Sequence, residues 1–164
     1  MLKPDVYLNR VTEITPEMLK GMGVKALVLD VDNTLSTHHG MELVEGLQEW
    51  LGQMKKDGIP LLILSNSREK RVKPFAEKIG LPFISLGLKP LPFGYLRAAR
   101  RLGLKNREIA LAGDQVFTDY LGAWLTSTRI ILLKPIKLED KPSFKIRRAL
   151  ERKLLKKVQK GRFQ

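Results

Sequence analysis

The stretch from Lys25 to Leu35, KALVLDVDNTL, places two carboxylates directly after an apolar run. Residues 26–29 are all apolar, which is typical of a strand buried on both faces, because helices cover it on each side. Carboxylates such as Asp30 and Asp32 at the end of a buried strand are costly unless a cation or a substrate lies there. A strand that runs into an acidic turn is the alternative interpretation, but Asp-x-Asp-x-Thr after an apolar strand favours a functional site.

Further apolar runs alternate with amphipathic helical patterns along the chain. This alternation predicts an α/β fold, a three-layer, Rossmann-like parallel sheet of about five strands with helices on both faces. The expected strands are 26–29, 60–64, 82–85, 109–112 and 129–133. The 164 residues suffice for one domain, 1–140, followed by a tail, 141–164. Trp50 and Trp124 are expected in the core.

The composition excludes several classes of protein. The chain has no cysteine, so it is neither a cysteine phosphatase nor a thiolate metal protein. The first residues lack the apolar core of a signal peptide, and no apolar stretch approaches the roughly 20 residues that span a bilayer. We therefore expect a cytoplasmic protein, either soluble or peripheral on the inner face of a membrane.

The tail carries most of the net charge of +13, with ten Lys or Arg and a single acid, Glu151. Its apolar residues recur every four positions, as in an amphipathic helix; they are Ile146, Leu150, Leu154 and Val158. A basic amphipathic helix over 142–164 fits an anionic membrane surface. It equally fits nucleic-acid phosphates, or a helix that packs its apolar stripe on the domain and leaves the basic face in solvent.

Polar side chains follow several of the predicted strands. Because a doubly wound sheet gathers its strand ends along one edge, these side chains are expected to converge. They are Asp30 and Asp32 after the first predicted strand, Ser65 and Asn66 after the second, Lys89 after the third, and Asp114 and Asp119 after the fourth.

These residue types suit phosphoryl transfer to a carboxylate. Asp30 attacks phosphorus and forms an aspartyl-phosphate, and Asp32 protonates the leaving oxygen and then activates water. Mg²⁺ is expected to take ligands from Asp30, the Asp32 carbonyl and Asp114. Ser65 and the backbone N–H groups that follow it, beginning with Asn66, hold the phosphate oxygens, while Lys89 neutralises the nucleophile and the transferring group.

In this order and at these intervals, the residues resemble the four motifs of the haloacid dehalogenase (HAD) superfamily of aspartyl-phosphatases, over roughly residues 24–135. The matching segments are 30–34, 64–66, 89–90 and 113–119. The second aspartate of the first motif is present in the phosphatases of this superfamily and absent from its dehalogenases. The resemblance implies a HAD-like phosphatase fold with Mg²⁺ as cofactor.

Asp-Asn-Thr, Ser-Asn-Ser, Lys-Pro and Gly-Asp-Gln-Val-Phe-Thr-Asp together resemble the YqeG family of subclass IIIA, which is similar to mitochondrial phosphatidylglycerophosphate phosphatases. This resemblance implies a phosphatidylglycerophosphate phosphatase of phospholipid synthesis. It also implies that Asp119 acts on the metal through water or orients Lys89. His38 and His39 depart from the family pattern and are either loop residues or substrate contacts.

The intervals between the motifs leave no room for a cap domain, so we expect an open site that suits a phosphate on a lipid, a protein or a nucleic-acid end. Two individual residues keep simpler interpretations: Ser65 as a helix cap and Lys89 as a solvated lysine. The alternative function is a nucleic-acid or ribosome-associated protein that uses the fold as a scaffold, or a phosphatase of another phosphorylated macromolecule or metabolite.

Overall fold

The computed structural model describes residues 4–36, 40–136, 145–146 and 148–153; His38, His39 and the rest of the tail lie outside them. The described chain forms six strands and five α-helices. The strands are β1 (Val6–Leu8), β2 (Ala26–Leu29), β3 (Leu61–Leu64), β4 (Phe83–Ile84), β5 (Ile109–Gly113) and β6 (Arg129–Leu133). The α-helices are α1 (Pro16–Gly21), α2 (Leu47–Lys56), α3 (Glu69–Ile79), α4 (Pro92–Leu102) and α5 (Leu121–Leu125).

All six strands lie in one parallel sheet with the order β1-β6-β5-β2-β3-β4. Strand β2 is central, and its Leu29 pairs with Ile63 of β3 and with Ala112 of β5. The carboxyl ends of β2, β3, β4 and β5 therefore meet at one edge, as expected from the sequence. We call this edge the site edge.

Alternate residues of each strand pack into two separate cores, one on each face of the sheet. On one face Leu27, Leu29 and Ile63 pack against residues of α1, α2 and α3. On the other face Val28 and Leu62 pack against residues of α4 and α5. Both faces are covered, which explains the unbroken apolar runs and confirms the predicted three-layer fold.

The structure corrects two predictions of detail. The sheet has one strand more than expected, because the three-residue β1 pairs with β6. Trp50 is buried, and its indole N–H donates to the Ile14 carbonyl at 2.8 Å, but Trp124 is 58% exposed. The neighbouring Gly122 and Ala123, not Trp124, form the inward face of α5.

Among the described residues, the connections of β2 to β3 and of β3 to β4 each contain a single α-helix and no inserted domain. Within the same ranges, no helix combines the length and the apolar character that crossing a bilayer requires.

Gly94 of α4 is expected to resist even a methyl group, because a Cβ there would overlap the backbone carbonyl of Gly87. Gly94→Ala should lower the free energy of unfolding by about 1–3 kcal/mol. Gly52, inside α2, has open space around it, so Gly52→Ala should raise that free energy by about 1 kcal/mol. Urea denaturation measures both, and equal effects would contradict the close packing of α4 on Gly87.

Candidate active site

The turn after β2 presents the first predicted motif. The Asp30 N–H donates to the Ala112 carbonyl at 3.0 Å, which extends the sheet pairing into the turn. The Leu35 and Ser36 N–H groups both donate back to the Val31 carbonyl, at 2.9 and 3.2 Å. Asn33 takes the left-handed conformation, with φ of 58°, which asparagine tolerates better than most residues. The turn thus depends on Asn33 for its shape.

Lys89 joins two carboxylates at the centre of the site edge. Its Nζ donates to Asp30 Oδ1 at 2.8 Å and to Asp119 Oδ1 at 2.6 Å, and the residue is only 6% exposed. Burial would lower the pKa of Lys89, but the Asp119 and Asp30 carboxylates outweigh it and raise that pKa above its usual range. Lys89 is therefore a permanent cation and not a solvated surface lysine.

Asp119 orients Lys89 from a single π-helical turn, Val116–Tyr120, after β5. Its other oxygen, Oδ2, accepts from the Gln115 N–H at 3.1 Å. Room for this buried carboxylate exists because residue 113 is glycine, where a Cβ would overlap the Asp119 side chain. The Tyr95 hydroxyl donates to the Asp119 carbonyl at 3.1 Å, which fixes the turn from α4.

Asn66 holds the backbone of Lys89 rather than presenting its side chain to a ligand. Its Oδ1 accepts from the Lys89 N–H at 2.7 Å, and its Nδ2 donates to the Lys89 carbonyl at 3.0 Å. Ser65 is buried, and its hydroxyl accepts from the Ser67 N–H at 3.1 Å. The second and third motifs are thus one hydrogen-bonded unit, and a phosphate contact by Asn66 would use its backbone N–H.

Asp32 turns away from Lys89 and pairs with Arg71 of α3, a residue that the sequence did not single out. Both carboxylate oxygens of Asp32 accept from the guanidinium, one of them at 2.9 Å. Arg71 also donates to the Ser67 hydroxyl at 2.6 Å. The hydrogen bond to Asp32 raises the pKa of Arg71 further. A second permanent cation therefore lies beside the predicted phosphate pocket.

Asp114 is bound by Arg148, from the helical residues 145–146 and 148–153, which we call the C-terminal segment. The guanidinium donates to Asp114 Oδ2 and, at 3.0 Å, to the Asp114 carbonyl. It also donates to Glu151 at 3.0 Å, and Glu151 accepts from the Val116 N–H at 3.2 Å. Two charged residues of the tail thus reach the site.

The apolar stripe of the tail is not the face that packs on the domain. Ile146 is 67% and Leu150 is 50% exposed, whereas Arg148 is 9% and Glu151 is 3% exposed. The interpretation that the stripe packs inward is therefore wrong for these residues. Burial of the arginine and the glutamate is possible because they pair with each other and with the site.

Three carboxylates are close enough to share a cation: one oxygen from each of Asp30, Asp114 and Asp119 lies within 4.8 Å of the other two. Burial, and next the Asp119 carboxylate, raise the pKa of Asp30 to about 7, while Lys89 opposes the rise. Burial also raises the pKa of Asp114. Asp114 Oδ1 is buried without a hydrogen-bond partner among the described residues, so a divalent cation fits this donor set.

Two clefts open beside the first motif. One, of about 510 Å³, is lined by Ser65 and Arg71 together with Val31, Met41 and Phe75. The other, of about 730 Å³, passes Asn33 and Thr34 toward the end of β6. The former adjoins the predicted phosphate groups, and no inserted domain of the described chain covers it.

Removing Arg148 should leave the buried Asp114 carboxylate without its counter-charge. For Arg148→Met, measured by urea denaturation in metal-free buffer, we expect a loss of about 3 kcal/mol in the free energy of unfolding. Lys153→Met, an exposed change in the same segment, is the matched control and should alter it by less than about 0.5 kcal/mol. An Arg148→Met protein as stable as the control would show that Arg148 does not engage Asp114 in solution.

The comparisons with known proteins agree with this geometry. Residues 37–123 match the model of the haloacid dehalogenase-like hydrolases. The chain is 37% identical to a protein of Bacillus subtilis named probable phosphatase YqeG, over 98% of this chain and 94% of that protein. It is 26% identical to phosphatidylglycerophosphate phosphatase 1 of Arabidopsis thaliana, over 96% of this chain but only 49% of that protein.

A solved structure, a HAD family hydrolase of Deinococcus radiodurans, shares the fold with a TM-score of 0.59, at 16% identity over 66% of this chain and 80% of that one. The match to the family model spans three of the four motif segments, 64–66, 89–90 and 113–119. The likeness to the Bacillus protein extends over nearly the full length of both chains. The chain belongs to the haloacid dehalogenase-like hydrolase family.

Proposed function

We propose that this hydrolase is a Mg²⁺-dependent phosphatase that works through an aspartyl-phosphate on Asp30, with phosphatidylglycerophosphate as its substrate. The observation that carries the proposal is the buried Lys89 that bridges Asp30 and Asp119, beside Asp114 with one oxygen lacking a hydrogen bond. Such a cluster of carboxylates with a fixed cation accepts an anionic phosphate once a divalent ion balances its charge.

In the first step an Asp30 oxygen attacks phosphorus, and the bond from phosphorus to the alcohol oxygen breaks. The leaving oxygen takes a proton from Asp32 and departs as the alcohol. In the second step Asp32 accepts a proton from water, whose oxygen attacks the phosphoryl group, and the bond from phosphorus to Asp30 breaks. Inorganic phosphate forms, and both aspartates return to their starting states.

The other residues of the site hold the phosphate and its charge. Lys89 keeps Asp30 in place and offers a cation to the transferring oxygens. The Ser65 hydroxyl and the backbone N–H groups after it bind the remaining phosphate oxygens. Asp30, the Asp32 carbonyl and Asp114 would hold Mg²⁺, with Asp119 orienting Lys89; the ion supplies Lewis-acid stabilisation of the transferring phosphoryl group.

The ion pair between Arg71 and Asp32 must break before Asp32 can donate a proton to the leaving group. A carboxylate held on both oxygens by a guanidinium has no proton to donate, so Asp32 must leave Arg71 before it acts as an acid. The substrate phosphate is itself a bidentate partner for a guanidinium. Binding of phosphate near Ser67, which already accepts from Arg71, would draw Arg71 from Asp32 at the moment when the acid is needed.

The choice of a lipid-linked substrate is supported by three observations. The Arabidopsis relative is named for phosphatidylglycerophosphate. The cleft beside Ser65 and Arg71 is open and partly apolar. The tail is basic over 142–164, and its described part exposes Ile146 and Leu150. Exposed apolar residues among basic ones suit contact with an anionic membrane surface.

The role of Asp32 predicts a dependence on the leaving group. Asp32→Asn should slow an alkyl phosphate by about 10²–10⁴-fold, because its alkoxide needs a proton to depart. In the first turnover, where release of the leaving group alone is measured, it should slow p-nitrophenyl phosphate much less, because nitrophenolate departs unprotonated. The later steady-state rate should fall for both substrates, because Asp32 also activates the water of the second step. Asp30→Asn should abolish turnover of both substrates, since the amide cannot form the aspartyl-phosphate. Asp57→Asn, an exposed change at the end of α2, is the control. Equal losses for the two substrates in first-turnover release of the leaving group would contradict the acid role.

The proposed substrate and cofactor are tested together by phosphate release from phosphatidylglycerophosphate in detergent, from glycerol 3-phosphate and from nucleotides. We expect the lipid to have the highest kcat/KM, and we expect EDTA to abolish its turnover and added Mg²⁺ to restore it. Asp114→Asn should need at least about tenfold more Mg²⁺ for half-maximal rate. Turnover of the soluble compounds without the lipid would reject the substrate, and full activity in EDTA would reject the metal.

A further inference from the structure

The loop of residues 86–91 faces the site with its backbone and the Lys89 side chain, and the solvent with its leucine side chains. The Leu86 N–H donates to the Ser67 carbonyl and the Gly87 N–H to the Ser65 carbonyl, both at 2.9 Å. Lys89 is bound through its backbone to Asn66. These backbone bonds hold the loop against the second motif, so its outward side chains, which do not enter the site, are presented on a rigid support.

Those outward residues are large and apolar. Five of them occur within eleven positions, each about half exposed, in loop 86–91 and the first turns of α4: Leu86 (52%), Leu88 (53%), Leu91 (50%), Phe93 (57%) and Leu96 (49%). Single exposed leucines are ordinary, but a contiguous apolar surface marks a site of interaction. We call these five residues the apolar lip.

Two of the leucines are also unfavourable for the backbone. Leu86 and Leu88 have φ values of 47° and 55°, in the left-handed region where Asn, Asp or Gly is the usual residue. Their exposure shows that burial within the chain does not offset this strain. The sequence therefore places leucine at two positions where asparagine would make an isolated soluble protein more stable. Strain of this kind often accompanies a functional surface.

Exposed basic residues lie close in the sequence to the lip or to Ser67, and on the C-terminal segment. Arg68 and Lys70 follow Ser67, and Arg97 follows Leu96, with Glu69 as an exposed acid among them. The C-terminal segment, held at Asp114 by Arg148, adds Lys145, Arg152 and Lys153 together with the exposed Ile146 and Leu150. Apolar side chains flanked by Lys and Arg match the headgroup region of an anionic bilayer.

We infer that the apolar lip inserts into the surface of a membrane that contains anionic lipids, with the basic residues on the headgroups around it. A second copy of the chain fits this surface poorly, because each copy carries a net charge of +13. Nucleic acid would use the basic residues but leave the leucines in water. The inference rests on the proposed lipid-linked substrate and extends it: Lys89 is brought to headgroup depth, and a lipid phosphate enters the site without leaving the bilayer.

The test is flotation of the full-length protein with vesicles of phosphatidylcholine, alone or mixed with phosphatidylglycerol. The double variant Leu86→Asn, Leu88→Asn removes two lip residues and places asparagine where left-handed backbone favours it, so the fold should be at least as stable. Wild type should bind the mixed vesicles, and this variant should bind them at least about tenfold more weakly. Turnover of p-nitrophenyl phosphate, which needs no membrane, should be unchanged.

The matched control is Leu125→Asn, an equally exposed leucine at the end of α5 that leads away from the site edge toward the start of β6, and it should bind like wild type. Wild-type binding by the double variant, an equal loss in Leu125→Asn, or no binding of wild type to the mixed vesicles would each overturn the inference. Vesicle binding that depends on the lip, without phosphate release from phosphatidylglycerophosphate, would reject the proposed substrate and leave the membrane surface standing.

Discussion

The double ion pair of Lys89 with Asp30 and Asp119 is the interaction on which the site depends. A lysine buried to this degree stays charged only because two carboxylates lie within hydrogen-bond distance. Those three side chains follow three different strands, β2, β4 and β5. They meet because parallel strands of one doubly wound sheet all end at the same edge. The sheet therefore brings these charges together. Its two apolar cores provide the stability that offsets the cost of burying charged groups at the edge.

Each of the aspartates that follow β2 and β5 pairs with one of three cations. Lys89 serves Asp30 and Asp119, Arg71 serves Asp32, and Arg148 serves Asp114. Each cation comes from a different part of the chain, so the four negative charges of the edge are offset in part by local cations rather than by the net charge of the protein. Asp114 keeps one oxygen without a hydrogen bond among the described residues, and that oxygen fits the donor set of a divalent cation.

The sequence predicts the sheet, its layers and the convergence of Asp30, Lys89, Asp114 and Asp119, because buried parallel strands and strand-end polar residues have strong local patterns. It does not predict Arg71. An arginine in the first turns of a helix looks solvated, and its partner lies 39 residues earlier. Strand β1 was missed for a related reason, since three half-buried residues carry no periodic signal and their partner strand is near residue 131.

The tail shows a different limit. Helical periodicity ranks residues by hydrophobicity, so the interpretation in which the tail packs on the domain placed Ile146 and Leu150 inward and Arg148 in the solvent. The structure reverses this, because Arg148 reaches a buried carboxylate that periodicity cannot take into account. The ion pair between Arg148 and Asp114, which lie far apart in the sequence, therefore sets the orientation of the segment.

The contact between Arg148 and Asp114 changes how this chain can be divided. A basic tail invites removal as a single unit, and deletion of 142–164 is the obvious way to ask what its charges bind. That deletion also strips a counter-ion from the site edge, so lost activity or lost affinity after it would have two causes. A boundary after residue 153 keeps Arg148 and Glu151 in place while removing three of the tail's lysines and Arg162. The functional unit of this hydrolase therefore extends beyond the last strand of its sheet, into a segment that its charge pattern alone would class as an appendage.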